Sequence, residues 1–216
     1  MSITEIFEKV EAVIFDLDGV LVDTAVYHFQ AWKRLAKELG FDFTETENER
    51  LKGVSRIDSL RLILNWAGRA VSTEEETRLA TLKNSWYLEL VSTMKVGDVL
   101  PGTEDLLLNL KKAGKKIALG SASKNAQLIL EKVGIVHYFD AIIDGNGVRQ
   151  SKPHPEVFLR GAEALRIPPD KCVVFEDAQA GIDAAKAAGM KVIAVDSYNV
   201  LHDYDARINN LIEVTL

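Results

Sequence analysis

The sequence predicts an α/β protein: a doubly wound, mostly parallel sheet with a helical domain inserted behind its first strand. Three observations carry this expectation. Short β-branched runs end in small or acidic residues, each is followed by a helical pattern, and one long stretch, residues 23–96, has helical periodicity only. The predicted strands are residues 10–16, 116–121, 141–144, 171–176 and 191–196. Helices are expected between them. Residues 103–113 carry Leu106, Leu107 and Leu110 and stop at Gly114; residues 125–133 stop at Gly134. Residues 155–165 end before Ile167-Pro168-Pro169, and residues 178–188 stop at Gly189. Strand, helix and strand in this order imply right-handed crossovers and a layered core.

The insertion reads as four helices. They span residues 25–39, closed by Gly40; 45–52; 57–66, closed by Gly68; and 72–94, with Ser72 as N-cap and Glu75 at the capping-box position. The expected division is a catalytic core of residues 1–23 and 96–216 and a helical cap of residues 24–95. Two chain crossings join them, which is the anatomy of a hinge. Residues 198–216 are weakly patterned and yield no expectation.

Composition bounds the function. With 26 basic and 32 acidic residues the net charge is −6, and 47% of residues are hydrophobic, as in ordinary globular proteins. The acidic balance gives no footprint for nucleic acid or an anionic membrane, so an anionic substrate would need a local cation. No apolar run approaches the ~20 residues of a membrane span. The first residues lack the basic start of a secretory signal. Cys172 is the single cysteine and lies in an apolar run, so no intrachain disulfide can form. A cytoplasmic monomer is expected.

Candidate chemistry gathers at predicted strand ends, the edge of an open α/β sheet where ligands bind. Asp16-Leu17-Asp18-Gly19 follows the run Val13-Ile14-Phe15. Two carboxylates this close repel unless a cation lies between them, and a hard divalent ion, Mg2+ for a phosphate substrate, suits oxygen ligands. Leu119-Gly120-Ser121-Ala122-Ser123 ends a strand in hydroxyls ahead of a helix, whose N–H groups can hold a phosphoryl group. Lys152, in Ser151-Lys152-Pro153-His154-Pro155, can neutralise phosphate charge. Glu176-Asp177 adds two carboxylates for a metal. Each motif alone has a plain alternative: solvated acids, a Ser-rich N-cap, a surface lysine, a Glu-Asp turn. Four such coincidences along one edge are improbable.

The order Asp-x-Asp-Gly, Ser, Lys-Pro, Glu-Asp resembles the haloacid dehalogenase superfamily, and the inserted helices are similar to the cap of its first class. The resemblance implies a Rossmann-like core, Asp16 as nucleophile and Asp18 as general acid and base. It also implies Ser121 and Lys152 as ligands of the transferring phosphoryl group. By the same likeness Asp16, the main-chain carbonyl of Asp18, Glu176 and Asp177 would hold Mg2+.

A narrower resemblance rests on the residues Asp23-Thr24-Ala25-Val26-Tyr27-His28-Phe29-Gln30-Ala31-Trp32-Lys33, Leu51-Lys52-Gly53-Val54-Ser55-Arg56-Ile57-Asp58-Ser59 and Ser121-Ala122-Ser123-Lys124-Asn125. These segments closely resemble the β-phosphoglucomutases. That family interconverts β-glucose 1-phosphate and glucose 6-phosphate through an aspartyl phosphate and a hexose bisphosphate. The implied substrate residues are Thr24 at the hinge, then His28, Trp32, Gly53, Val54, Ser55, Ser59, Lys83 and Asn84 in the cap. Arg56, with Ser123 and Asn125 beside Ala122, would grip the phosphate that is not transferred. Packing readings compete: His28 and Trp32 at helical spacing are ordinarily structural, and Lys83 ordinarily faces solvent. Arg56 has a separate argument, since it opens a helix where arginine is disfavoured, and its fork suits a bidentate phosphate clamp. A sugar-phosphate phosphatase on the same scaffold, and a non-catalytic Mg2+- or phosphate-binding protein, are the alternatives.

Overall fold

A computed structural model describes residues 2–216. The chain forms two compact units, Met1–Asp23 with Lys95–Leu216, and Thr24–Met94.

The first unit is built on a six-stranded sheet in the order β3-β2-β1-β4-β5-β6. Its strands are β1 (Ala12–Phe15), β2 (Lys116–Gly120), β3 (Ala141–Ile143), β4 (Cys172–Glu176), β5 (Lys191–Val195) and β6 (Ala206–Ile208). All five pairings are parallel. That is the doubly wound order, with β1 and β4 at the centre. The central strands read as unbroken apolar runs because both faces are covered. Ala12, Ile14, Ala118 and Val174 meet Phe158 and Ala162 of α8 (Glu156–Leu165) and Ile182 and Ala185 of α9 (Gln179–Ala187) in one buried cluster. On the opposite face the Phe15 and Phe175 rings stack 5.0 Å apart.

Phe175 also meets Phe7, at 6.4 Å, from a helix the sequence pattern does not announce. This is α1 (Ile3–Lys9), closed by a reciprocal capping box between Ser2 and Glu5. Its mixed, acidic composition hides two buried residues, Ile6 and Phe7. Helices α6 (Thr103–Lys112) and α7 (Ala126–Val133) complete the unit. The weakly patterned end of the chain holds β6 and a 3-10 turn, Leu211–Glu213.

The second unit consists of α2 (Ala25–Glu38), α3 (Glu45–Glu49), α4 (Arg56–Trp66) and α5 (Thr73–Val91). The third helix stops three residues earlier than its pattern suggests, and Arg56 itself opens the fourth. Ser72 caps α5 by accepting from the Glu75 N–H. The expected reciprocal half of that box is missing, because the Glu75 carboxylate pairs with the Arg78 guanidinium at 2.7 Å. Among the described residues no helix is long and apolar enough to cross a membrane.

Candidate active site

The central strands deliver their last residues to one edge. The Asp16 N–H donates to Phe175 O at 3.0 Å, carrying the β1–β4 ladder one residue past β1. The Ser121 N–H donates to Ile143 O at 3.0 Å in the same way beyond β2. Asp16 and Ser121 therefore follow directly on β1 and β2, Glu176 ends the neighbouring β4, and all three are buried.

Lys152 arrives from the loop ahead of α8. Its ammonium donates to Asp16 Oδ1 and to Glu176 Oε1, each at 2.6 Å, with the lysine side chain fully buried. The Phe158 ring lies 4.7 Å away, so the cation rests on an aromatic face. Burial pulls the Lys152 pKa down, but the two carboxylates outweigh it and raise it above the ordinary lysine value. This lysine is a fixed positive charge. Burial pushes the Glu176 carboxyl up, with Lys152 opposing that shift. Its second oxygen accepts the Ala178 N–H at 2.9 Å, so both Glu176 oxygens are engaged.

The turn after Asp16 is tight. Gly19 adopts φ +80, its N–H donates to Val22 O at 2.8 Å, and the Leu21 N–H donates to Leu17 O at 3.0 Å. A side chain at position 19 would also overlap the Asp177 carboxylate. Glycine thus serves twice, for the left-handed backbone and for the acid beside it. Gly181 plays a related part, because a Cβ there would overlap the Glu176 carboxylate.

Asp16, Glu176 and Asp177 each offer an oxygen within 4.8 Å of the others. Three hard oxygen donors, two of them buried, fit a divalent cation. The Asp18 carboxylate is not in that group. Glu176 brings to that group two oxygens already held by Lys152 and Ala178, and Asp16 one held by Lys152.

Ser121, Ala122, Ser123 and Asn125 form the loop beyond β2. The Ser121 hydroxyl accepts the Ser123 N–H at 3.1 Å, and the Ser123 hydroxyl accepts the Asn125 N–H at 3.3 Å. Helix α7 begins only at Ala126, so the serine hydroxyls organise this loop and the helix N-terminus lies five residues beyond Ser121.

The expected cap residues lie in the second unit. Thr24 precedes α2 and is fully buried, with a hydroxyl that finds no hydrogen-bond partner among the described residues. Gly53, Val54 and Ser55 form the approach to α4, where the Ser55 hydroxyl accepts the Asp58 N–H. Ser59 is buried on the same helix. Lys83 and Asn84 lie on α5. Contrary to the solvent-facing alternative, Lys83 is buried, with its ammonium 2.8 Å from His28 Nδ1. It also sits 4.4 Å from the Trp32 ring centre and 4.8 Å from that of Tyr87. An ammonium has only protons to give, so His28 Nδ1 accepts and the imidazole hydrogen sits on Nε2. Burial, then the Lys83 and Arg56 charges, hold His28 well below the ordinary histidine pKa of 6.5. Burial holds the Arg56 pKa below the ordinary arginine value, with Tyr87 opposing. Sequence reasoning missed Tyr87 and Phe158, whose aromatic patterning looks like any core residue.

Residues 10–189 match the family model of haloacid dehalogenase-like hydrolases. The chain is 41% identical over 208 residues to the β-phosphoglucomutase of Bacillus subtilis (strain 168), covering 95% of this chain and 92% of that one. A crystal structure of a Clostridium difficile β-phosphoglucomutase superposes with a TM-score of 0.92 at 42% identity, covering 95% of this chain and 93% of that one. A phosphorylated carbohydrates phosphatase of Thermotoga maritima is 34% identical over 89% of this chain and 86% of its own length.

Proposed function

The chain belongs to the haloacid dehalogenase-like hydrolases, and from that premise we propose that it is a sugar-phosphate mutase exchanging β-D-glucose 1-phosphate and glucose 6-phosphate. The observation that carries the chemistry is the Lys152 ammonium held 2.6 Å from both Asp16 and Glu176. A carboxylate nucleophile must approach a phosphoryl group that is itself anionic. Lys152 supplies a fixed charge at that point, at no reorganisation cost.

In the proposed cycle a free hydroxyl of the sugar phosphate attacks the phosphorus of phospho-Asp16, Asp18 takes its proton, and the bond from phosphorus to Asp16 breaks to leave a hexose bisphosphate. The bisphosphate turns over, an Asp16 oxygen attacks the other phosphorus, the bond from that phosphorus to the sugar oxygen breaks, and Asp18 protonates the leaving oxygen as phospho-Asp16 returns. Ser121 and Lys152 bind the moving group throughout. A divalent cation, proposed as Mg2+, would be held by Asp16, Asp177, the Asp18 carbonyl and Glu176 and would offset phosphoryl charge when bound. In this reading Glu176 contributes chiefly by fixing Lys152.

A mutase also needs a grip on the far phosphate. We assign it to Arg56, supported by its partly buried guanidinium at the start of α4, with Ser123 and Asn125. Ala122 lies within the same loop. Gly53, Val54, Ser55, Ser59 and Asn84 are proposed to shape the sugar site, and Thr24 to act at the hinge. His28, oriented by Lys83, and the Trp32 face are proposed to meet sugar hydroxyls. Sugar phosphates do not cross membranes unaided, so a cytoplasmic enzyme, proposed as a monomer, fits this substrate. The second reading, a phosphatase that passes phospho-Asp16 to water, is favoured by the likeness to a carbohydrate phosphatase.

The deciding experiment supplies β-glucose 1-phosphate, Mg2+ and a trace of the bisphosphate, and measures glucose 6-phosphate against free phosphate. Dominant glucose 6-phosphate is expected; dominant free phosphate would install the second reading. Asp16→Asn should abolish turnover of both products.

A further inference from the structure

The loop that carries Lys152 is tied down at several points, and one of them lies on a residue the reaction does not use. Between β3 and α8 the chain runs from Asp144 to Pro155 with no regular structure. Its early part rests on the serine loop: the Gly145 N–H donates to Ser123 O at 3.2 Å, and Asn146 Nδ2 donates to Lys124 O at 3.1 Å. A Cβ at Gly145 would overlap Ala122 O, so the two loops touch backbone to backbone.

Its late part is gripped by Glu156 at the start of α8. Glu156 Oε2 accepts two consecutive main-chain donors, the Arg149 N–H at 3.0 Å and the Gln150 N–H at 2.9 Å. Oε1 is taken by Arg160 at 2.7 Å, one turn along the helix. The intervening turn closes on itself, with the His154 N–H donating to Ser151 O at 2.9 Å. The Glu156 N–H donates to His154 Nδ1 at 3.2 Å. Lys152 sits in the middle of this clasp, and only Ser151 separates it from the nearer main-chain donor, Gln150. Phe158, next along α8, is the ring beneath its ammonium.

We infer that Glu156 is a positioning residue for phosphoryl transfer, setting Lys152 against Asp16 by clasping the backbone at Arg149 and Gln150. A carboxylate suits the task because each oxygen accepts and neither donates, so two aligned N–H groups meet one acceptor without conflict. What burial Glu156 has pushes its carboxyl up, but the Gln150 and Arg149 N–H groups and Arg160 outweigh this and hold it below the ordinary value. Glutamine has the same shape, but its NH2 must face either the two N–H donors or the guanidinium. Either way one side of the clasp is repelled, and the loop shifts with Lys152 on it. Displacements of about 1 Å in a catalytic group cost on the order of a hundredfold in rate.

The inference rests on Asp16 being the nucleophile, and the test separates the two. Full-length wild type, Glu156→Gln and Arg160→Ala are mixed with acetyl phosphate and Mg2+, quenched at intervals, and weighed intact. Asp16 displaces acetate, which leaves with the bonding pair, and the chain gains one phosphoryl group. Glu156→Gln should lower the limiting rate of that gain by about tenfold to a hundredfold. The donor concentration for half-maximal rate should stay within about threefold, because charge compensation by Lys152 counts most in the transition state. Arg160→Ala removes the outer partner and leaves both main-chain bonds, so its rate should match wild type. Thermal midpoints should coincide for all three. Wild-type protein that gains no phosphoryl group would overturn the nucleophile and this inference with it. A wild type that gains it and a Glu156→Gln chain that keeps pace would overturn the inference alone. An equal fall in Arg160→Ala, or a rate loss matched by lost thermal stability, would also overturn it.

Discussion

Replacing Lys152 by methionine keeps most of the side chain's length and removes its charge, which makes it a clean probe of the buried triad. In the native chain the ammonium lies 2.6 Å from Asp16 and 2.6 Å from Glu176, and the Glu176 side chain is 0% exposed. Removing one partner from a buried ion pair costs about 3–5 kcal/mol, because the remaining charge is stranded. Glu176 can escape part of this by keeping a proton. Burial already raises its pKa above the ordinary 4.5, and Lys152 is the main force opposing that shift. A carboxyl whose folded pKa is raised stays protonated where the unfolded chain has ionised. Its penalty is therefore absent below pH 4.5 and grows by about 1.4 kcal/mol per pH unit above it, until the folded pKa is reached. In urea melts followed by far-ultraviolet circular dichroism with chelator present, Lys152→Met should lose about 3–5 kcal/mol at pH 7.5 relative to wild type. At pH 5 the loss should shrink to about 1 kcal/mol. Adding Glu176→Gln to Lys152→Met should recover most of the pH-dependent part. A variant as stable as wild type at pH 7.5, or a loss indifferent to pH, would refute the reasoning.

Other expectations concern separate parts of the molecule. All three tryptophans, Trp32, Trp66 and Trp86, lie in the helical unit, so their fluorescence follows that unit's melting alone. His28 there has a folded pKa well below 6.5, so it is neutral in both states above that value. Below it the unfolded chain takes up a proton that the folded one refuses, facing Lys83 and Arg56. Fluorescence-detected stability should fall by about 1.4 kcal/mol per pH unit on acidification from 6.5, and His28→Gln should flatten the slope. Gly181→Ala should cost about 1–3 kcal/mol in thermal or urea melts, because its methyl overlaps the Glu176 carboxylate; unchanged stability would contradict that packing. Cys172 is buried, and burial, with Asp170 and Glu11, pushes its thiol up to about 12, so Ellman's reagent should react only after unfolding. Chelating divalent ions should silence turnover reversibly, as assayed by restoring Mg2+; activity indifferent to chelator would remove the metal from the reading.

The strands that build the site were legible because each is an apolar run closed by a functional residue, and burial on both faces leaves no alternation to confuse. Helix α1 was not, since only Ile6 and Phe7 of its seven residues are buried and the rest reads as solvated. Strand β6 has three residues, too few for any period, and exists because Ala206–Ile208 find the open edge of β5. At Ser72 the capping box was half right, because Arg78 competes for the Glu75 carboxylate and local spacing cannot rank the two. Within the site, motif order pointed to Asp16, Lys152 and Glu176, but not to Glu176 being occupied at both oxygens. Nor could spacing show Lys83 inside an aromatic cage, since a lysine in a helical pattern looks solvated until Trp32 and Tyr87 are brought around it by tertiary packing.

The strand bearing Asp16 is first to be synthesised yet sits in the middle of the sheet, hydrogen-bonded to β2 on one side and β4 on the other. On a ribosome its four apolar residues emerge long before either neighbour exists, and the all-helical insertion, rich in local contacts, can fold in the meantime. That strand then waits, sticky and unpaired, until Lys116–Gly120 and finally Cys172–Glu176 have been made. Ribosome-bound chains halted before residue 172 should therefore recruit chaperones and lack a chemical centre. Those released past the end of β4 acquire both at a stroke, the fold and the means to react.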